Sequence, residues 1–392
     1  MPHLARLRSF LWTITNMHDV PVWLYFVGFL LVLGPLVFVH EYGHYIVGRW
    51  CGVKADTFSI GFGRKILGWT DKRGTEWKIG WLPLGGYVQF AGDRDAVSQP
   101  DAEWQSLPAA ERLHTFPAQP VWKRALIVAA GPVTNFLFAI LIFAAFNMAY
   151  GVPQTPPVIG SIAPNSAGAE AKLQVGDRIV AINGRTMESF EDIRMAVSYD
   201  LGKPARLDIQ RGRDRFDVTL RPQIVTETDP FGNKYERAII GILPTNPVDT
   251  TVGPVAAVQA ATSQTWGLVR ITGHILGQFV TGQRSVKEMG GPLRIAKQSG
   301  EMASLGPETL IFFIAFVSIN LGFINLLPLP MLDGGHLLFY AYEAIRRRPA
   351  PAQAQEWAFR FGFAAIVSLM LVVTFNDLGS FGLWDRIARL IG

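Results

Sequence analysis

Four uncharged apolar stretches, separated by polar sequence, dominate the hydrophobic pattern of the chain: Val20–Val39, Ala125–Tyr150, Thr309–Leu332 and Phe361–Asn376. A helix crosses the hydrocarbon core of a bilayer with about 20 apolar residues, at a rise of about 1.5 Å per residue. The first three stretches meet that length. Trp357 and Arg360 extend the fourth, since both side chains can reach for the interface. The pattern therefore predicts four membrane-spanning helices. The first stretch runs straight into His40, Glu41 and His44 without a small-residue cleavage site. It reads as a retained span and not as a signal peptide.

Between the first two spans the period changes. Phe58, Ile60 and Phe62, then Trp77, Ile79 and Trp81, alternate with polar residues across 53–92, which is the signature of strands. Gly61-Phe62-Gly63 and Gly85-Gly86-Tyr87 supply turns, or places where another chain can approach the backbone closely. Asp93–Pro120 is polar and reads as a surface loop.

After the second span, a proline-rich linker, Gly151–Pro157, leads into short apolar runs broken by turns. A strand is predicted at Val158–Ile162, a turn, strand and hairpin turn over Val175–Gly184, a helix at Ser189–Val197, and a strand pair at Ala205–Gln210 and Arg215–Leu220. Trp266, Leu268, Ile271, Ile275 and Phe279 fall near helical spacing. They predict an amphipathic helix, lying either on the membrane surface or against the bundle. The expected organisation is a first membrane half over 20–150, an inserted α+β module over 158–224, a linker and amphipathic region over 225–304, and a second membrane half over 305–392. The fold class is a multi-pass α-helical membrane protein carrying a membrane-associated β-hairpin region and one inserted α+β module.

Composition agrees with this class. Of 392 residues, 49% are hydrophobic and only 17% charged, against about a quarter charged in soluble domains. The lone cysteine, Cys51, excludes a disulfide framework and a cysteine-based metal cage. A net charge of +5 is modest, and nothing points to a nucleic-acid partner. The distribution of charge is more telling. Lys and Arg crowd the segment between spans one and two (Arg49, Arg64, Lys72, Arg94 and Lys123 among them), and Arg346, Arg347 and Arg348 follow span three. Basic loops face the cytoplasm. Arg6, Arg8, Arg386 and Arg389 at the termini pull the other way. The larger clusters place both termini and Gly151–Glu308 outside the cytoplasm.

The chemistry concentrates in His40-Glu41-Tyr42-Gly43-His44. On a helix, residues four apart share a face, so both imidazoles can bind one Zn²⁺. Glu41 beside them can take a proton from a metal-bound water, whose pKa zinc lowers to about 7. Ionisable groups at the end of an apolar span need partners or water; the simpler alternative is that they cap the helix at the interface. A catalytic zinc usually has three protein ligands. Asp333 is the first charge after the third uncharged run, at the same side of the membrane as His44, and Pro328 and Pro330 break the helix just before it. Unwound backbone at that depth is tolerated inside protein or along a wet cavity. His336 is a rival ligand, further into the loop.

These motifs resemble the site-2 protease family of intramembrane zinc metalloproteases, in the bacterial branch of the regulator of sigma-E protease. The likeness extends over Gly61-Phe62-Gly63, Leu84-Gly85-Gly86-Tyr87-Val88, Gly131-Pro132 with Asn135, Gly290-Gly291-Pro292 and Asn325–Gly334, nearly the whole chain. It implies His40, His44 and Asp333 as zinc ligands, Glu41 as general base and Asn325 as a contact to substrate backbone. It also implies that the hairpin with Gly61, Phe62, Gly63, Gly85, Gly86 and Tyr87 dips towards the active site and holds substrate as an added strand. Val175–Ile179 and the Asn183-Gly184 turn resemble a PDZ domain, a peptide-binding module, here in a single copy. The implied setting is the bacterial cytoplasmic membrane, with that module outside and the active site near the cytoplasmic side. The implied substrates are single-span membrane proteins already trimmed by another protease, such as an anti-sigma factor or a signal-peptide remnant. A membrane scaffold with an inert metal site, or a divalent-metal transporter, is the competing reading; neither needs a carboxylate beside the first ligand.

Overall fold

The computed structural model describes residues 20–93, 104, 106–199, 203–228, 234–246, 248–282 and 290–380. Arg6, Arg8, Arg94, Arg386 and Arg389, used above for orientation, lie outside the described residues. The chain divides into two compact units, one built from Phe146–Ala257 and the other from the sequence on either side of it.

Among the described residues, four helices of the larger unit are long and apolar enough to cross a membrane: α1 (Val22–Trp50), α3 (Val121–Tyr150), α8 (Pro307–Asn325) and α10 (Ala352–Ser380). Every one corresponds to a predicted span, and the ends of two need comment. The first helix carries His40, Glu41 and His44, as their spacing requires, and runs on to Trp50, beyond the expected end. Its last turns are held by packing, since Tyr45 is buried against Phe58 and Trp77. The third span ends at Asn325, and Leu326–Leu332 is non-helical before α9 (Asp333–Arg346) begins. The amphipathic stretch forms two helices, α6 (Pro254–Val280) and α7 (Pro292–Ser304). Ala261 of α6 is fully buried in a cluster with Ala139, Phe143, Ala315 and Ile319, and Thr272 bonds Asn320 at 2.9 Å, so α6 lies against the bundle. The start of α7 is capped from α10: the buried Asp377 carboxylate accepts from the N–H groups of Gly291 (3.1 Å) and Arg294 (3.0 Å). A carboxylate there meets the positive end of the helix dipole.

Two long strands, β1 (Ala55–Thr70) and β2 (Glu76–Phe90), follow α1 and pair antiparallel. Each is bent. Thr57–Ile60 is flanked on one side by Gly86–Gln89 and on the other by Glu76–Ile79, while Lys65–Thr70 pairs with Glu76–Gly80. Gly61 (φ 86°) and Gly63 (φ 84°) turn the chain between these segments in a left-handed conformation that costs a glycine little. The sheet packs on α1, α3 and α9 through a cluster containing Tyr45, Val53, Phe58, Phe90, Ile127 and Tyr340. The expected surface loop over Asp93–Pro120 holds in part: most of its described residues are exposed or half-buried, but the segment is anchored. Ala109–Arg112 is a short helix (α2), Phe116 is buried and stacked on Phe90, and Thr115 and Gln119 are buried. One buried aromatic decides such a segment's packing, and a polar average conceals it.

The smaller unit has a four-stranded sheet in the order β6 (Arg185–Thr186), β5 (Arg178–Ile182), β7 (Ala205–Arg211), β8 (Asp214–Leu220). The helix α5 (Phe190–Tyr199) covers it with Ile193 and Val197. Ala238, Ile240 and Ile242 join the same hydrophobic core as Ile179 and Leu207, so sequence beyond residue 224 folds with this module. Asp177 in the predicted turn is fully buried. It accepts two bonds from the Arg211 guanidinium, at 2.7 and 2.8 Å, and one from the Gln174 N–H at 2.8 Å. Burial alone would raise its carboxyl, but these bonds and the Arg211 charge hold it below the usual carboxylate range. The linkage has a definite sign. The stabilisation is present above the unfolded carboxyl pKa of about 3.9 and is lost as pH falls through the lower folded value. Arg211→Met leaves a buried charge unpaired. It should destabilise this unit by about 2–3 kcal/mol at neutral pH, somewhat less than for a fully buried pair because Arg211 is partly exposed. Pulse proteolysis of the intact chain, read as cleavage within this unit, checks it; unchanged resistance would refute the pair's structural role.

Candidate metal centre

Two elements bring the candidate ligands together. His40 and His44 stand one turn apart on α1. Asp333 is the first residue of α9, the end at which a helix dipole favours negative charge. His40 Nε2 and His44 Nε2 lie 3.3 Å apart; the Asp333 carboxylate is 3.2 Å from the first and 3.6 Å from the second. All three side chains are largely buried, at 11%, 13% and 18% exposure. No other set of three metal-ligating side chains converges in this way among the described residues.

The donor set fits a zinc ion. Bonds of about 2.0–2.1 Å in a tetrahedron put ligand atoms about 3.3 Å apart, close to the separations seen. Asp333 Oδ2 is buried and faces His40 Nε2 without a hydrogen bond. Two imidazole nitrogens and a carboxylate oxygen converge there, and a cation suits all three. Two imidazoles and one carboxylate also leave a fourth position for water or substrate. His336 is not part of the group: its ring packs against Phe359 and Tyr340.

Glu41 is adjacent in sequence and faces the hairpin. The Val88 N–H bonds its carboxylate. Gly86 sits against it so closely that a Cβ would lie 2.9 Å from Glu41 Cγ and 2.7 Å from Val37 Cγ1. The segment Gly86–Phe90 therefore runs past the acid. The remaining glycines shape the hairpin further out: Phe62 stacks on Tyr87, and Gly85 lies under the Phe62 ring. Asn325 closes α8, half-buried, at the beginning of the unwound stretch that leads to Asp333.

Span two completes the surroundings. The Ile127 carbonyl lies 2.9 Å from His44 Nδ1, and Asn135 lies 3.1 Å from His40 Nδ1. Between them, Gly131 touches both rings: a Cβ there would lie 2.2 Å from His44 Nε2 and 2.9 Å from His40 Cε1. Sequence reasoning gave Gly131 and Asn135 no role beyond a shared motif. Their four-residue spacing, a glycine and an amide on one face of an apolar helix, was the available signal.

Comparison with known proteins adds a family. The profile of Peptidase family M50 matches residues 28–369. A protein of Agrobacterium fabrum named for the zinc metalloproteases is 46% identical over 365 residues, spanning 91% of this chain and 96% of its own. One of Rhizobium meliloti, similarly named, is 44% identical over 355 residues (89% and 95%). Metalloprotease MmpA of Caulobacter vibrioides is 34% identical over 391 residues (93% and 98%). Among solved structures, the PDZ domain of the SdrC-like protein from Listeria monocytogenes matches 24% of this chain and 92% of its own, at 18% identity and a TM-score of 0.19.

Proposed function

The chain belongs to peptidase family M50, and on that premise we propose that it is an intramembrane zinc endopeptidase with His40, His44 and Asp333 as ligands and Glu41 as general base. One observation carries the reading: a histidine pair on the first span and an aspartate from far along the chain meet within 3.2–3.6 Å. A zinc ion held there supplies a Lewis acid for the scissile carbonyl and a water whose pKa is about 7. Glu41 takes a proton from the attacking water and returns it to the leaving amine, so that the C–N bond breaks as the water's oxygen bonds to the carbonyl carbon. The Gly86–Phe90 segment, with Glu41 beside it, offers backbone to an unwound substrate helix as an added strand. Asn325 anchors that strand from the broken end of α8.

The substrates are proposed to be single-span membrane proteins already trimmed outside the bilayer, of the anti-sigma-factor or signal-peptide-remnant kind, in a bacterial cytoplasmic membrane. The basic segment between α1 and α3 supports a cytoplasmic side for the site. The smaller unit is proposed to be a PDZ-like peptide-binding module on the opposite side; its cleft between α5 and residues 238–244 encloses about 850 Å³.

Metal removal tests the reading. A zinc chelator should abolish cleavage of a single-span reporter in detergent, and added zinc should restore it. Asp333→Ala should purify with far less than the about one zinc per chain of the unaltered protein and cleave nothing. Cleavage that survives metal removal, or full zinc content in Asp333→Ala, would refute the assignment.

A further inference from the structure

The face of α3 formed by Ile127, Gly131 and Asn135 treats the two imidazoles alike in geometry but not in chemistry. A histidine that gives Nε2 to a metal carries its proton on Nδ1, and a neighbouring acceptor fixes that tautomer. His44 has such an acceptor in the Ile127 carbonyl, 2.9 Å away. His40 needs one in the equivalent place, and the group facing its Nδ1 at 3.1 Å is the side-chain amide of Asn135.

Asn135 is fully buried, and its backbone carbonyl is tied to α8 by the Ser318 hydroxyl at 2.8 Å. With Nδ2 towards the ring, two difficulties arise together. Oδ1 is left without a hydrogen-bond partner among the described residues. His40 Nδ1 is made to accept, which moves the ring proton to Nε2, the atom aimed at Asp333. The two ends of an amide have nearly the same shape, and its orientation is decided by the network around it. A half-turn gives the buried oxygen its donor and frees the Nε2 lone pair in one step.

We propose that Asn135 is the positioning residue of His40: its Oδ1 accepts the Nδ1–H and so fixes the tautomer that binds metal. The proposal rests on the metal site of the preceding section. It also separates the two histidines. The His44 acceptor is main chain, which substitution does not remove, whereas the His40 acceptor is a side chain.

The test is zinc affinity, measured by chelator competition on the purified full-length chain in detergent. Loss of an outer partner of a metal-bound histidine typically costs 10–100-fold in affinity. Asn135→Leu should bind zinc about 10–100-fold more weakly, and its cobalt-substituted form should show altered visible bands. Asn135→Asp keeps an acceptor in place and should stay near the unaltered protein in both measurements. That rescue separates tautomer control from packing, because Leu and Asp both replace the amide and only one can accept. Unchanged affinity in Asn135→Leu overturns the proposal, as does an Asp variant as weak as Leu. Asp333→Ala serves as the reference: if it loses zinc while Asn135→Leu does not, only the assignment of Asn135 falls. If Asp333→Ala binds normally, the metal site itself is wrong.

Discussion

Glu41→Gln should give a protein that folds, keeps its zinc and has lost cleavage by about 10²–10⁴-fold, the usual contribution of a positioned acid–base group. The substitution preserves the shape of a side chain that Gly86 closely packs against, and an amide oxygen still accepts from the Val88 N–H. It removes only the capacity to take a proton from water. Glu41 is not among the three converging ligands, so metal content should hold. Zinc analysis and cleavage of a single-span reporter, run on the same preparation, read the two properties separately. A metal-bearing scaffold or a divalent-ion transporter would be indifferent to this change. Undiminished cleavage by Glu41→Gln would end the hydrolytic reading.

Much of the architecture that frames this site was legible in the sequence because its signals are local. Four uncharged runs announce four spans, since every buried charge in lipid is costly. The histidine pair needs only helical spacing to share a face. Asp333 stood out as the first charge beyond an apolar run broken by two prolines.

What stayed hidden depends on partners distant in sequence. The histidine spacing carries the first helix to His44, but its last turns to Trp50 are held because Tyr45 finds Phe58 and Trp77. Alternation revealed strands at 53–92 but not that each long strand bends, giving Thr57–Ile60 a neighbour on either side. Phe116 vanished into a polar average until Phe90 was there to receive it. Asp377 lies just past the fourth apolar run, and only the arrival of Gly291 and Arg294 shows that it caps another helix. Gly131 and Asn135 belong to the same class: within one helix they are a small residue and a polar one, and they acquire meaning when α1 is laid beside them.

Gly131→Ala turns that last point into a measurement in which local and tertiary effects have opposite signs. Within a helix interior, Ala is favoured over Gly by about 1 kcal/mol, so propensity alone predicts a sturdier second span. The added Cβ, however, would lie 2.2 Å from His44 Nε2, 2.5 Å from His44 Cε1 and 2.9 Å from His40 Cε1. The ring of His44 cannot simply swing aside, because its Nδ1 is held by the Ile127 carbonyl of the same helix. Nor can α3 easily retreat. Thr134 Oγ1 bonds the Val39 carbonyl at 3.1 Å, and Gly43 lies so close to Thr134 that a Cβ there would come within 2.3 Å of Oγ1. Displacing reacting groups by about 1 Å can cost 10²-fold in rate. Gly131→Ala should therefore keep its helical circular dichroism, lose most of its zinc and lose at least about 10²-fold in cleavage. Full zinc and full activity in this variant would show that the two spans are not clasped as closely as Gly43, Thr134 and Gly131 require. The histidine pair would then owe its placement to α1 alone.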